Sequence, residues 1–222
     1  IRLGIIGVGN IGRHHANYLL EGKVRRARLT ALCSVVPQEL ATYRGRVPHL
    51  FEDSDTLLKS GEVDAVVIAT PHYQHVTIGI AALEAGLHIM VEKPVAAHKA
   101  DAERLIQVAK GHPSQVFAAM FQLRVEPRYQ KLRQLLATGE LGQVMRVTWI
   151  NTDWFRTDAY YASSGWRATW KGEGGGVLIN QCLHNLDTLQ WLMGMPETVR
   201  AFCHLGRHRN IEVEDTVTAY LE

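Results

Sequence analysis

Apolar residues in the first half of the chain fall in short unbroken runs, not in a one-on, one-off alternation. Arg2–Gly7 (RLGIIG), Arg28–Cys33, Val47–Phe51, Val63–Thr70 (VDAVVIAT), His88–Glu92 and Gln115–Gln122 read as strands. Runs of this length and β-branched content suit strands buried on both faces. The intervening segments Ile11–Glu21, Gln38–Gly45, Ser54–Ser60, Gln74–Ala85 and Lys99–Lys110 read as helices, the fourth stopped by Gly86. Strand and helix in regular alternation predict a parallel sheet covered on both sides.

The rhythm changes after about Leu123. Pro127–Ala137 reads as a helix with Gly139 and Gly142 behind it, and Val144–Thr152 as a long alternating strand. An aromatic, glycine-rich loop then runs to Gly176, followed by a helix over Val177–Met193 and strands over Val199–Leu205 and Thr216–Leu221. A helix followed by strands predicts an α+β domain on a largely antiparallel sheet. The expected division is an α/β domain over residues 1–123 and a partial α+β domain over 124–222. The chain starts at Ile1 and stops on a strand with no closing element, so a piece of a longer protein is expected.

The strongest chemical signal is Gly7-Val8-Gly9-Asn10-Ile11-Gly12, a GxGxxG placed after a strand and opening a helix. The first glycine permits the tight turn, the second lets backbone approach a pyrophosphate, and the third lets helix and strand pack closely. The helix N-terminus then offers its free N–H groups to phosphate. This makes the first domain a doubly wound α/β domain of Rossmann type, with NAD or NADP as its cofactor. Where the fingerprint expects an acidic residue for the ribose, Ser34 ends the second strand. A hydroxyl there tolerates a 2′-phosphate, with Arg13 and Arg44 as possible counter-charges, and tilts the expectation toward NADP.

Asn180, His184 and Asp187 stand at i, i+4 and i+7, one face of a helix among Leu178, Ile179, Leu183, Leu186 and Leu189. The glycines Gly174–Gly176 before them let a backbone come close to something. Lys93, between Glu92 and Pro94 at the end of the fifth strand, lies where open α/β sheets bind ligands. Tyr160, Tyr161, Trp166, Arg167, Trp170 and Lys171 crowd the loop before the glycines. They suit stacking on a sugar ring and pairing with a carboxylate or phosphate, or else domain-interface packing. Asp153 and Arg156 are weaker contacts of the same kind.

Taken together, the N-terminal GxGxxG, Glu92-Lys93-Pro94 and Gly174-Gly175-Gly176 leading to His184 and Asp187 resemble the Gfo/Idh/MocA family. That family includes glucose–fructose oxidoreductase and inositol dehydrogenases. Thr70-Pro71 with His75, Arg124 with Pro127, Gly139 to Gly142 and Trp166-Arg167 fit the same pattern. The resemblance covers essentially the whole chain and ends partway through the family's C-terminal domain. It implies an oxidoreductase moving hydride between a nicotinamide cofactor and a hydroxyl carbon of a sugar, sugar derivative or inositol. It implies Lys93 and His184 as catalytic residues, with Asn180, Asp187, Trp166, Arg167 and Tyr160 toward substrate. Gly7, Gly9, Asn10, Ile11, Gly12, Ser34, Thr70, Pro71, His75, Glu92 and Lys93 are then placed toward cofactor. Histidine's ordinary pKa of about 6.5 suits a base for the hydroxyl proton. A lysine cation suits the developing negative oxygen. Many members carry Asp where this chain has Asn180, which can bond a hydroxyl but cannot relay a proton.

Composition narrows the partners. Of the 222 residues 46% are apolar and 21% charged, with net charge +2, and the densest basic run, Lys23–Arg28, falls in an expected surface loop. Nothing here points to nucleic acid or membrane. Three scattered cysteines (Cys33, Cys182, Cys203) fit a reducing compartment, so a cytoplasmic protein is expected, and the histidine spacing shows no metal motif; the resemblance implies a homodimer or homotetramer. Two other classes share the pattern: a non-catalytic cofactor-sensing regulator, and an NAD-dependent glycoside-processing enzyme. A regulator has no need of Lys93 or His184.

Overall fold

Parallel strands β1 (Arg2–Ile6), β2 (Arg28–Cys33), β3 (His49–Phe51), β4 (Ala65–Ile68), β5 (His88–Val91) and β6 (Phe117–Ala119) form one sheet in the order β3-β2-β1-β4-β5-β6. The computed structural model describes residues 1–152 and 155–222, so the expected contact Asp153 lies outside the described residues. Helices α1 (Asn10–Leu20), α2 (Pro37–Ala41), α3 (Ser54–Lys59), α4 (His75–Glu84) and α5 (Lys99–Gly111) connect the strands. Neighbouring strand positions feed opposite faces. Ile5, Leu32 and Val67 pack with Ala16, Leu19 and Leu40, whereas Ile6, Val66 and Ile68 pack with Ala82, Leu83 and Leu105. Both faces are therefore dry, which is why these strands carry apolar runs. The strand order reverses direction at β1 and β4, and the carboxyl ends there open the crevice in which such sheets take ligands.

Contacts divide the chain into two compact units, Ile1–Met120 and Phe121–Glu222. The second contains α6 (Pro127–Ala137), α7 (Asp158–Ala162), α8 (Leu183–Met193) and an antiparallel hairpin of β7 (Val199–Leu205) and β8 (Glu214–Leu221). The hairpin pairs Val199 with Leu221 through to Leu205 with Glu214, with a register shift between His204 and Leu205.

Two expectations for this unit fail. Val144–Thr152 forms no strand, and Met145 and Ile150 are 84% and 77% exposed. Alternation marks a strand only where a neighbour takes up its backbone N–H and C=O groups, and none does so among the described residues. The helix expected from Val177 starts at Leu183. Before it, the N–H groups of Gly176 and Leu178 donate to the Glu214 carboxylate and that of Val177 to the Glu214 carbonyl. A buried side chain from β8 thus replaces the first helical turn. Among the described residues no helix is long and apolar enough to cross a membrane.

Candidate active site

Gly7 follows β1 directly with φ +94, and a Cβ there would lie 2.6 Å from the Ala69 carbonyl oxygen. A Cβ on Gly12 would run into the carbonyl oxygen of Gly7, whereas one on Gly9 would meet nothing within 4 Å. Gly7 and Gly12 are thus glycines because protein backbone crowds them, and Gly9 because space is open above it. No side chain caps α1, and its first turn carries no acidic residue. Its leading N–H groups and positive end are left for an anion. Gly12→Ala is accordingly expected to weaken dinucleotide binding at least tenfold and to lower the melting temperature, since overpacking against backbone costs about 1–3 kcal/mol. Titration calorimetry and a thermal melt check both parts.

The loop after β4 adds Thr70, whose buried Oγ1 has no hydrogen-bond partner among the described residues. An orphaned hydroxyl beside a glycine turn fits a ligand that completes it. His75, 1% exposed, lies with Nδ1 2.7 Å from the Pro94 carbonyl and Nε2 2.8 Å from the Thr70 carbonyl. One ring therefore ties the loop after β4 to the loop after β5. Burial lowers its pKa, opposed by the two carbonyl contacts and Glu92. A depressed histidine binds its proton more readily unfolded than folded. The stability it contributes is complete above the unfolded value of about 6.5 and erodes as pH falls below it. His75→Ala is expected to cost about 1–3 kcal/mol at about pH 7.5, by removing the one N–H that the neutral ring donates to a buried carbonyl, and to flatten the loss as pH falls below about 6.5. Denaturant melts across that range measure it.

Glu92, 6% exposed, directly follows β5; it accepts from the Lys93 N–H at 3.2 Å, and its Oε1 lies 2.6 Å from His15 Nε2 on α1. The glycine-turn helix is thus joined to the dipeptide that presents Lys93. Ser34, 5% exposed, donates through Oγ to Glu39 Oε2 at 2.6 Å and accepts from the Val36 N–H. Arg13 is bonded to Asn10 Oδ1 at 2.9 Å. Neither His15 nor Glu39 stands out in sequence. The available signals were a histidine one turn into the helix after the glycines and an acid in the first turn of the helix after the second strand.

In the second unit the glycine triplet meets β8: a Cβ on Gly176 would collide with the Glu214 backbone. Asn180 sits in the irregular turn ahead of α8, so it does not share a helical face with His184 and Asp187 as expected. Its Nδ2 donates to Glu173 Oε1, and Glu173, 2% exposed, also accepts from the Ala168 N–H. A carboxylate only accepts, so the Asn180 amide nitrogen is the atom turned to Glu173. His184 opens α8, 3.4 Å from Gln122 Nε2 and edge-on to Phe121. Asp187, one turn on, is gripped by Arg124 through Nε at 2.8 Å and Nη2 at 2.6 Å. That fork raises the Arg124 pKa and seats α8 on the turn over Gln122–Val125. Tyr160 Oη accepts from Arg167 Nη1 at 2.6 Å, and the same guanidinium lies over the rings of Tyr160 and Trp166. Among the described residues no group of three His, Cys, Asp or Glu could hold a metal ion.

Residues 1–120 match the oxidoreductase family with the NAD-binding Rossmann fold, and residues 129–222 match the Gfo/Idh/MocA C-terminal domain. The rhizopine catabolism protein MocA of Rhizobium meliloti is 27% identical over 89% of this chain and 58% of its own length. The WlbA dehydrogenase of Bordetella pertussis, solved with NADH and UDP-GlcNAcA, superposes with a TM-score of 0.90 at 31% identity, covering 100% of this chain and 66% of that one. A scyllo-inositol dehydrogenase from Lactobacillus casei, solved with NAD(H) and scyllo-inositol, gives 0.78 at 29% identity over 95% of this chain and 61% of that one. The chain spans a little over half the length of the curated relatives it matches. With both of its units matched in order, the chain belongs to the Gfo/Idh/MocA oxidoreductase family.

Proposed function

We propose that this chain is the dinucleotide-binding part and a portion of the substrate-binding part of an NAD-dependent dehydrogenase that oxidises a secondary hydroxyl of a sugar derivative or inositol. The observation carrying the reading is within the first unit: an uncapped glycine-turn helix joined through His15 and Glu92 to Lys93. A phosphate anchor and a cation at the carboxyl edge of one sheet are what a dehydrogenase needs there. Bound nicotinamide supplies the hydride acceptor. Lys93 stabilises the oxygen as its charge grows, and His184 takes the hydroxyl proton. Asn180 offers Oδ1 to a substrate hydroxyl. Asp187, with both oxygens on Arg124, holds the helix that carries His184.

For the cofactor we favour NAD over the NADP suggested by Ser34 alone. The Glu39 carboxylate bonded to Ser34 brings negative charge to the end of β2, which suits two ribose hydroxyls and repels a 2′-phosphate. Thermal-shift titrations with each dinucleotide test this: a ligand at about 100 times its Kd stabilises by about 2.7 kcal/mol. NAD is expected to raise the midpoint more, and Glu39→Arg to reverse the order. A larger shift with NADP on the unmutated chain would overturn the assignment. The reaction is tested by NADH formation over a panel of inositols, free sugars, sugar acids and nucleotide-sugars. Cleavage of aryl glycosides without NADH formation would favour a glycoside-processing enzyme instead.

A further inference from the structure

His75 is set between two acceptors. Its Nδ1 lies 2.7 Å from the Pro94 carbonyl oxygen and its Nε2 2.8 Å from that of Thr70, and the residue is 1% exposed. A carbonyl oxygen only accepts, and a neutral imidazole carries a single N–H. Whichever nitrogen bears that proton, the other turns a lone pair toward an oxygen at hydrogen-bond distance. Only the imidazolium donates to both. Burial holds the ring back from that form by pulling its pKa down, against the pull of the two carbonyls and Glu92.

The charged and titratable groups around the ring come from three elements. Glu92 and Lys93 belong to the chain just after β5, Glu92 favouring the charged ring and Lys93 opposing it. His72, in the turn before α4, has its ring centroid 6.0 Å away. His15 on α1 meets Glu92 at 2.6 Å. The helices α3 and α5 meet α4 through Leu57, Leu58 and Leu105 of one apolar cluster. A bound dinucleotide would change this balance. A Cβ on Gly7 would lie 2.8 Å from the Thr70 nitrogen, and the buried Thr70 Oγ1 has no hydrogen-bond partner among the described residues. A diphosphate seated on the glycine turn therefore brings negative charge to the residue whose carbonyl already holds the ring. An anion close by favours the imidazolium.

We propose that His75 is a proton-linked clamp: dinucleotide binding draws a proton onto its ring, which then donates to both the Thr70 and the Pro94 carbonyls and holds the two loops together beneath the cofactor. The inference rests on the dinucleotide site of the dehydrogenase reading and adds a proton to its binding step. By linkage the effect is mutual, so a fall in pH tightens the dinucleotide.

The test is titration calorimetry of the full chain with NAD in buffers of different ionisation enthalpy, because the change of heat with buffer counts the protons exchanged. Uptake of about half a proton or more per NAD is expected near about pH 6, falling toward zero by about pH 8. That uptake corresponds to a Kd for NAD tightening about threefold from about pH 7 to about pH 6. His75→Gln keeps an amide donor but takes up no proton, and is expected to bind NAD with neither the uptake nor the pH dependence. His72→Gln is expected to keep the uptake. If His75→Gln does not fold, nitrogen resonances of the histidine-labelled unmutated chain near about pH 6 decide. With NAD bound, both His75 ring nitrogens should then carry a proton, and a ring that stays singly protonated overturns the clamp. NAD binding without proton uptake, or uptake retained in folded His75→Gln, also overturns the clamp and leaves the dinucleotide site standing. Binding of neither NAD nor NADP at any pH overturns both.

Discussion

Lys93→Ala and His184→Ala are each expected to remove turnover while leaving NAD bound with unchanged affinity. A hydroxyl losing hydride needs its proton taken and its oxygen held. General-base catalysis contributes roughly 10²–10⁴-fold, and a placed donor or cation on a developing oxyanion roughly 10²–10³-fold. Neither side chain belongs to the glycine turn or to Thr70, the proposed pyrophosphate anchor. Lys93 contributes its backbone N–H to Glu92, a bond that alanine retains. The fall should therefore appear in kcat, with the dinucleotide Kd from calorimetry within about twofold of the starting protein. Turnover near the starting level in His184→Ala would remove it as the base. Loss of NAD binding in Lys93→Ala would show that the lysine shapes the cofactor loop instead.

Asn180→Asp is expected to destabilise the protein strongly, and Glu173→Gln to rescue it. Asparagine and aspartate have nearly the same shape, so the substitution looks conservative by size alone. Here the Asn180 amide is bonded to the nearly inaccessible Glu173 carboxylate, which also holds the Ala168 N–H at 2.7 Å. A second carboxylate in that place sets two like charges together out of water, and one must take up a proton or be expelled. The expected cost at neutral pH is about 2–4 kcal/mol, or roughly 5–15 °C in melting temperature for a chain of this size. The sign with pH follows. The introduced carboxyl has its folded pKa raised above the unfolded value, so the penalty is complete at neutral pH and shrinks as pH falls toward about 4. In the double variant the introduced carboxylate meets an amide donor, so the combined cost should be smaller than the sum of the two singles. Strict additivity in that cycle would mean the two side chains do not interact.

Many elements of both units were legible because their signals are local. β2 and β7 begin and end where the apolar runs do, and α6 is bracketed by Pro127 and the glycines after it. GxGxxG carries its own explanation, since two of its glycines answer to backbone within the same strand–turn–helix or the adjoining strand end. Lys93, His184 and Asn180 were recognisable as chemistry, although not what each one touches. Val144–Thr152 shows the limit: its alternation promises a strand, but a strand exists only where another chain segment offers a ladder.

By itself, then, the sequence determined the doubly wound parallel sheet and the dinucleotide turn. These follow from periodicity and glycine geometry over spans of a few residues. Only the tertiary structure decided their neighbours: Glu39 on Ser34, Glu173 on Asn180, Glu214 on Gly176, Arg124 on Asp187 and His15 on Glu92. The last three join residues 38, 63 and 77 apart in the chain. No local pattern encodes a contact of that reach; it exists because burying the sheet and helix faces brings distant polar groups together, and each group left dry must then find a partner.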